Sequence, residues 1–138
     1  MLAWATDVHL DFLEAPERRA FATRLAATGC EAVLLTGDIS DQRALGRHLI
    51  EVAEGAGVPV FFVLGNHDYY HGSVVSGREL ARAVCSKVPR LTWLHDAGVV
   101  RLRPGVALVG VDGWGDARLG APDTTPILLN DFRYIEEL

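Results

Sequence analysis

Residues 58–71 read VPVFFVLGNHDYYH. A run rich in valine and phenylalanine, bounded by Pro59 and Gly65, predicts a buried strand over Val58–Leu64. It stops at glycine and passes at once into Asn66, His67 and Asp68. Burying such side chains is costly unless each finds a partner, so the abrupt change needs a physical reason. Two upstream apolar runs end the same way. Leu2–Thr6 runs into Asp7-Val8-His9, and Ala32–Thr36 runs into Gly37-Asp38-Ile39-Ser40-Asp41.

Amphipathic stretches separate these runs. Pro16–Ala27, with proline suited to a first helical turn, Asp41–Gly55, and Ser76–Lys87, which stops before Pro89, are expected helices. Strand, helix, strand, helix, strand implies a parallel sheet with right-handed crossovers, hence an α/β fold. Downstream the pattern changes to a β-meander, with strands expected at Leu91–Leu94, Val99–Leu102 and Val106–Val111. A glycine-rich loop, GWGDARLGAPDTTP, then leads into ILLNDFRYIEEL, read as a helix.

With 138 residues, the chain suits one domain with a real core. A net charge of -5 and a pI near 5.4 argue against a broad nucleic-acid-binding surface. No apolar stretch approaches the roughly 18 to 20 residues that span a bilayer, and the N-terminus lacks the marks of a secretory signal. Cys30 and Cys85 form neither a CxxC pair nor a disulfide framework and read as reduced thiols. A cytoplasmic protein is expected.

In an open α/β sheet, ligands bind outside the carboxyl ends of the parallel strands. If the three strands are neighbours, Asp7, His9, Asp38 and Asn66 gather at one edge. Asp7 and His9, two apart, leave the same face of an extended segment. Gly37 and Gly65 permit tight turns and close approach. Two carboxylates, an imidazole and an amide oxygen suit Mn, Fe, Zn or similar divalent ions better than a thiolate-loving metal. Asp38 is placed to bridge two ions, and metals about 3.5–4 Å apart serve phosphate-ester hydrolysis. His67, followed by Asp68, has the arrangement of a general acid with a carboxylate partner that favours its protonated form.

TDVH, GDISD and GNHD, in this order and each closing an apolar strand, resemble the D-x-H, GD-x-x-D and GNH-[DE] blocks of the calcineurin-like metallophosphoesterases. The resemblance covers roughly residues 2–70 by motif. It implies a four-layer αββα sandwich and a dinuclear-metal-activated water that hydrolyses phosphate esters. It makes Asp7 and His9 ligands of the first metal, Asp38 the bridge and Asn66 a ligand of the second. His67 becomes the acid that protonates the leaving group, with Asp68 orienting it.

The family also draws histidines from the second half of its fold, including a G-H-x-H block. The 138 residues contain no His-x-His, and the last histidine is His95. The chain therefore reads as an incomplete domain over residues 1–138, with weak, single-metal or absent occupancy and reduced or absent activity. Uncovered strands favour a homodimer. The substrate, a phosphorylated small molecule or macromolecule, is not identified by motif or fold. A competing reading is a non-catalytic metal-binding or interaction protein that keeps half a site. A doubly wound nucleotide-binding module is disfavoured, because no GxGxxG or P-loop follows the first strand.

Other residues keep two readings. Asp41 fits a helix N-cap or a supporting role at the site. His48, His71 and His95 are structural or surface groups, or stand-ins for missing ligands. Tyr69 and Tyr70 pack beside the loop or meet substrate. Trp114, Asp116 and Arg118 lie in the glycine-rich loop, where Arg118 forms a loop salt bridge or clamps a phosphate.

Overall fold

The computed structural model describes residues 1–113, 121 and 124–138. Trp114, Asp116 and Arg118 lie outside the described residues. Strands β1 (Leu2–Ala5), β2 (Ala32–Thr36), β3 (Val60–Val63) and β4 (Leu91–Trp93) form one sheet in the order β1-β2-β3-β4. All three pairings are parallel. The linking helices are α1 (Ala15–Ala27), α2 (Gln42–Ala56) and α3 (Val74–Lys87).

Strand order that follows chain order, with crossovers of one hand, places all three helices on the same sheet face. The alternation of side chains confirms it. Val33 and Leu35 of β2, Val60 and Phe62 of β3, and Leu91 and Trp93 of β4 join one core with Leu25, Leu45, Leu49, Val52, Ala81 and Val84 of the helices. The opposite face carries a smaller cluster. Ala32 and Phe61, with Leu34 and Val63, pack there against Leu94, Val100, Leu102 and Leu108. The last three belong to an antiparallel hairpin, β5 (Val100–Arg103) and β6 (Val106–Leu108). Helices, parallel sheet and second sheet are thus stacked as three layers among the described residues. Edge strand β1 is covered on its helix side only, and Trp4 on the other side is 72% exposed.

The helix ends follow from short-range chemistry. Asp41 caps α2, its Oδ1 accepting from the Ala44 amide at 3.1 Å, which places Asp41 in the capping role. Ser73 and Ser76 form a reciprocal capping box, so α3 starts at Val74 rather than Ser76. Gly57 ends α2 in the left-handed conformation at φ 70°.

Three sequence expectations are corrected. Leu91–Leu94 is not part of a meander: β4 extends the parallel sheet, and a short helix, α4 (Leu94–Ala97), follows it at once. The last strand ends at Leu108 rather than Val111, and Val109 and Val111 are exposed. The helix expected over residues 127–138 shrinks to α5 (Asp131–Tyr134). Ile127, Leu128 and Leu129 are all exposed, so no apolar face among the described residues opposes them to favour a helix there. The chain around α5 is held by backbone bonds instead. His71 N donates to Tyr134 O at 2.7 Å, and Glu136 N to Gly72 O at 2.9 Å.

Candidate metal centre

The exits of β1, β2 and β3 meet at the carboxyl edge of the sheet. After β1 the chain runs beside the exit of β2: Asp7 N donates to Gly37 O, His9 N to Asp38 O and Leu10 N to Ile39 O. The exits of β2 and β3 touch through two glycines. A Cβ on Gly37 would lie 2.9 Å from Gly65 N, and one on Gly65 would lie 2.2 Å from Asp38 Oδ1. Gly37 also sits at φ 89°, whereas Gly65 is needed for the close approach alone.

Asp7, His9 and Asp38 each bring a ligand atom within 4.8 Å of the other two. Their convergence does not come from an extended segment, as sequence alternation suggested. Asp7, His9 and Asp38 adopt φ of 52°, 40° and 49°, the left-handed region that non-glycine residues rarely occupy. Each such residue costs roughly 1–3 kcal/mol and persists where the surrounding structure over-determines it. Here the over-determination is visible in the paired exit loops. Strain at three of the four expected ligand positions, with an oxygen and nitrogen donor set, fits a hard or borderline divalent cation.

Asn66 precedes a 3₁₀ turn, His67–Tyr69. Its Nδ2 donates to Asp131 Oδ1 at 2.7 Å, so the amide oxygen is the atom left to serve as a ligand. The His67 backbone amide donates to Asp38 Oδ1 at 3.0 Å, tying this turn to the second strand's exit. The His67 ring lies between Tyr70 and Phe12, at centroid distances of 4.4 and 5.7 Å. Its Nδ1 is 3.2 Å from Nδ1 of His9.

The expected pairing of Asp68 with the His67 ring is corrected. Asp68 is fully buried, and Oδ1 accepts from Ile39 N at 2.8 Å and Ser40 N at 2.9 Å. Its Oδ2 accepts from Gly65 N at 2.8 Å. A residue directly after His67 in a tight turn points away from it, and here it points into the interior. Burial pushes the Asp68 carboxyl up to about 7, against the three backbone donors that hold it down. Asp68 therefore fastens the second and third strand exits together rather than orienting the imidazole.

The remaining histidines take no part in the cation-holding groups found among the described residues. His48 is buried with Nδ1 2.8 Å from Ser40 Oγ. His71 rests against Tyr134, with ring centroids 5.0 Å apart. His95 stacks on Trp93 and accepts from Asp112 N at 3.2 Å. Tyr69 and Tyr70 are both buried beside the loop, and burial raises the hydroxyls of both above the ordinary tyrosine value.

Sequence reasoning missed three carboxylates. Asp11 follows His9 by two residues and joins His9 and His67 in a second group with ligand atoms within 4.8 Å. The extended spacing Asp7-x-His9-x-Asp11 was its only signal. Asp112 accepts from Leu64 N, Trp93 Nε1 and Tyr69 Oη, bracing the third strand's exit from behind. Asp131 reaches Asn66 across the fold. Neither of the latter belongs to a local motif.

A model of the calcineurin-like phosphoesterase family matches residues 2–133. The chain belongs to this family. Comparison with curated proteins and with solved structures returned no match. The family is one of metal-dependent phosphoester hydrolases, and the clustered carboxylates and imidazoles at the strand exits are consistent with metal binding. The match extends past the three motifs, through the hairpin and into α5. Among the described residues, no helix is long and apolar enough to cross a membrane.

Proposed function

We propose that this chain is built to hydrolyse phosphate esters with a divalent cation held by Asp7, His9, Asp38 and Asn66. The observation that carries the reading is the convergence of Asp7, His9 and Asp38 ligand atoms within 4.8 Å at one sheet edge. When bound, the cation supplies Lewis-acid activation of water and neutralises charge on the phosphoryl oxygens. The chain's own residues supply the rest. His67, half-buried beside the ligands, donates the proton to the leaving alkoxide. Tyr70 and Phe12 flank its ring, and Asp68 and Asp112 hold the loop that carries it.

Manganese, iron and zinc all suit the donor set. The four residues are few for two ions, and the chain contains no His-x-His to add imidazoles. We therefore expect weak or single-metal occupancy and low turnover from these 138 residues alone. The second reading, a non-catalytic protein that keeps half a phosphoesterase site, is favoured by that same shortage. A cytoplasmic location is supported by two cysteines that are both free thiols. A homodimer is supported by edge strand β1, whose Leu2 and Trp4 are exposed on the side away from the helices. A monomeric profile in light scattering at working concentration counts against the dimer.

Hydrolysis of an aryl phosphate and an aryl phosphodiester with added Mn²⁺ separates the two functional readings. Measurable turnover that falls about 10²–10⁴-fold in His67→Ala supports the enzyme. Turnover that is absent supports the non-catalytic protein, and turnover indifferent to His67→Ala removes His67 from the proposed role of acid.

A further inference from the structure

The group formed by His9, Asp11 and His67 is not accounted for by the cation site just described. His9 is common to both groups, but Asp11 and His67 are not ligands of the first. The two imidazoles are joined Nδ1 to Nδ1 at 3.2 Å by a hydrogen bond in which one nitrogen donates, a proton that a cation would replace. Their ring planes stand at 84°, so the nitrogens converge without the rings colliding. Two imidazole nitrogens bound about 2.0–2.1 Å from one tetrahedral zinc lie about 3.3 Å apart. The observed gap is already the bite of such a site.

Asp11 supplies an independent observation. It sits in the 3₁₀ turn Leu10–Phe12, and its Oδ1 is shut off from solvent with no hydrogen-bond partner among the described residues. A buried carboxylate oxygen without a donor calls for an ion or a water. Two imidazoles and one carboxylate are the donors that borderline cations such as zinc select.

We propose that His9, Asp11 and His67 form a second divalent-cation site, of zinc type, distinct from the group of Asp7, His9 and Asp38. The Nδ1 lone pair of His67 that binds a cation is no longer available to carry a proton. A cation held there occupies the ring that the proposed hydrolysis uses, so excess zinc inhibits. This inhibitory consequence rests on the phosphoesterase reading; the binding itself does not.

The test is a Zn²⁺ titration of the 138-residue chain, followed by calorimetry and by the imidazole resonances of His9 and His67. Asp7→Asn/Asp38→Asn removes the first group's carboxylates. This variant is expected to bind one Zn²⁺ and to shift both histidines together. Adding Asp11→Ala is expected to weaken Zn²⁺ binding by about tenfold or more, with circular dichroism reporting the fold of each variant. If the double variant does not fold, Asp11→Ala alone against the parent chain reads the same resonances. The site is overturned if Zn²⁺ leaves the His67 resonances in place, or if Asp11→Ala leaves the affinity unchanged. Absence of Mn²⁺-dependent hydrolysis in the parent chain overturns the inhibitory consequence with the functional reading, while the zinc titration still decides the site.

Discussion

Asn66 and Asp131, 65 positions apart, are joined by a 2.7 Å hydrogen bond from the amide nitrogen to the carboxylate. An ionised carboxylate only accepts, so this bond settles which end of the Asn66 amide faces Asp131. Partners behind a ligand commonly set its orientation and are worth 10- to 100-fold in metal affinity.

Asp131→Ala is therefore expected to weaken Mn²⁺ binding by about tenfold. Asp131→Asn still offers an oxygen to the same donor and is expected to retain most of the affinity. Calorimetric titration checks both, and the side-chain amide resonances of Asn66 give a readout without metal. Equal affinity in the parent and Asp131→Ala chains would show that the bond does not orient the ligand.

Gly65→Ala tests the contact between two strand exits. The added methyl would lie 2.2 Å from Asp38 Oδ1 and 2.8 Å from Asp38 N. The Asp38 carboxylate can swing aside but its backbone nitrogen cannot, so a loss of roughly 1–3 kcal/mol in urea unfolding is expected. Metal affinity should fall with it, because Asp38 must move. Alanine at exposed Gly113, where an added Cβ meets nothing within 4 Å and the backbone is not left-handed, is the control for replacing glycine without a clash.

His48 makes stability depend on pH. Burial, followed by the positive charge of Arg18, holds its imidazole below the ordinary histidine value. Arg47 acts in the same direction, and Glu51 and Asp11 oppose it. A depressed pKa in the folded state contributes stability that is present above about pH 6.5, the unfolded value. That contribution is lost as pH falls below 6.5 and through the folded pKa. Between pH 7.5 and 5 this loss runs against an opposite gain from buried Asp68, whose raised carboxyl takes up its proton in the fold. Thermal unfolding of the parent chain and of His48→Gln is therefore compared, and the parent's stability should fall more, or rise less, than the variant's. An equal change in both chains would assign the pH dependence to other groups.

Asp112→Ala leaves the Leu64 amide, the Trp93 indole and the Tyr69 hydroxyl without their acceptor. Each buried donor left unpaired costs about 1–3 kcal/mol. Denaturant unfolding should report a loss of about 3 kcal/mol or more. The same change should increase hydrogen exchange at Leu64 and Gly65. Protection as high as in the parent chain would mean that Asp112 braces the hairpin rather than the strand exit.

Much of this architecture is written in local patterns. The run VPVFFVL and its two upstream counterparts identify three strands, because their apolar residues alternate to both faces of a sheet that is covered on both sides at β2 and β3 and on the helix side at β1. The amphipathic stretches between them can only be crossovers. Glycine before Asp38 and before Asn66 marks the turns, whereas Asp7, His9 and Asp38 come together through left-handed backbone rather than through the extended segment their spacing suggested. Leu91–Trp93 was harder to place. A three-residue strand carries too little periodicity to separate a parallel neighbour from a meander, and its partner is chosen by α3 packing behind it.

Type of residue, order of motifs and strand-end position were thus properties of the chain itself, since each depends on neighbours within a few residues. The partners of the side chains were not. Asp68 turns inward to three amides instead of toward His67, and His67 meets His9 instead. Asp112 and Asp131 reach the site from distant segments. Which donor meets which acceptor depends on how the loops cross at the sheet edge, where left-handed backbone at Asp7, His9 and Asp38 redirects each side chain. No local pattern encodes that crossing, because its strain is sustained only by contacts between strand exits that folding brings together.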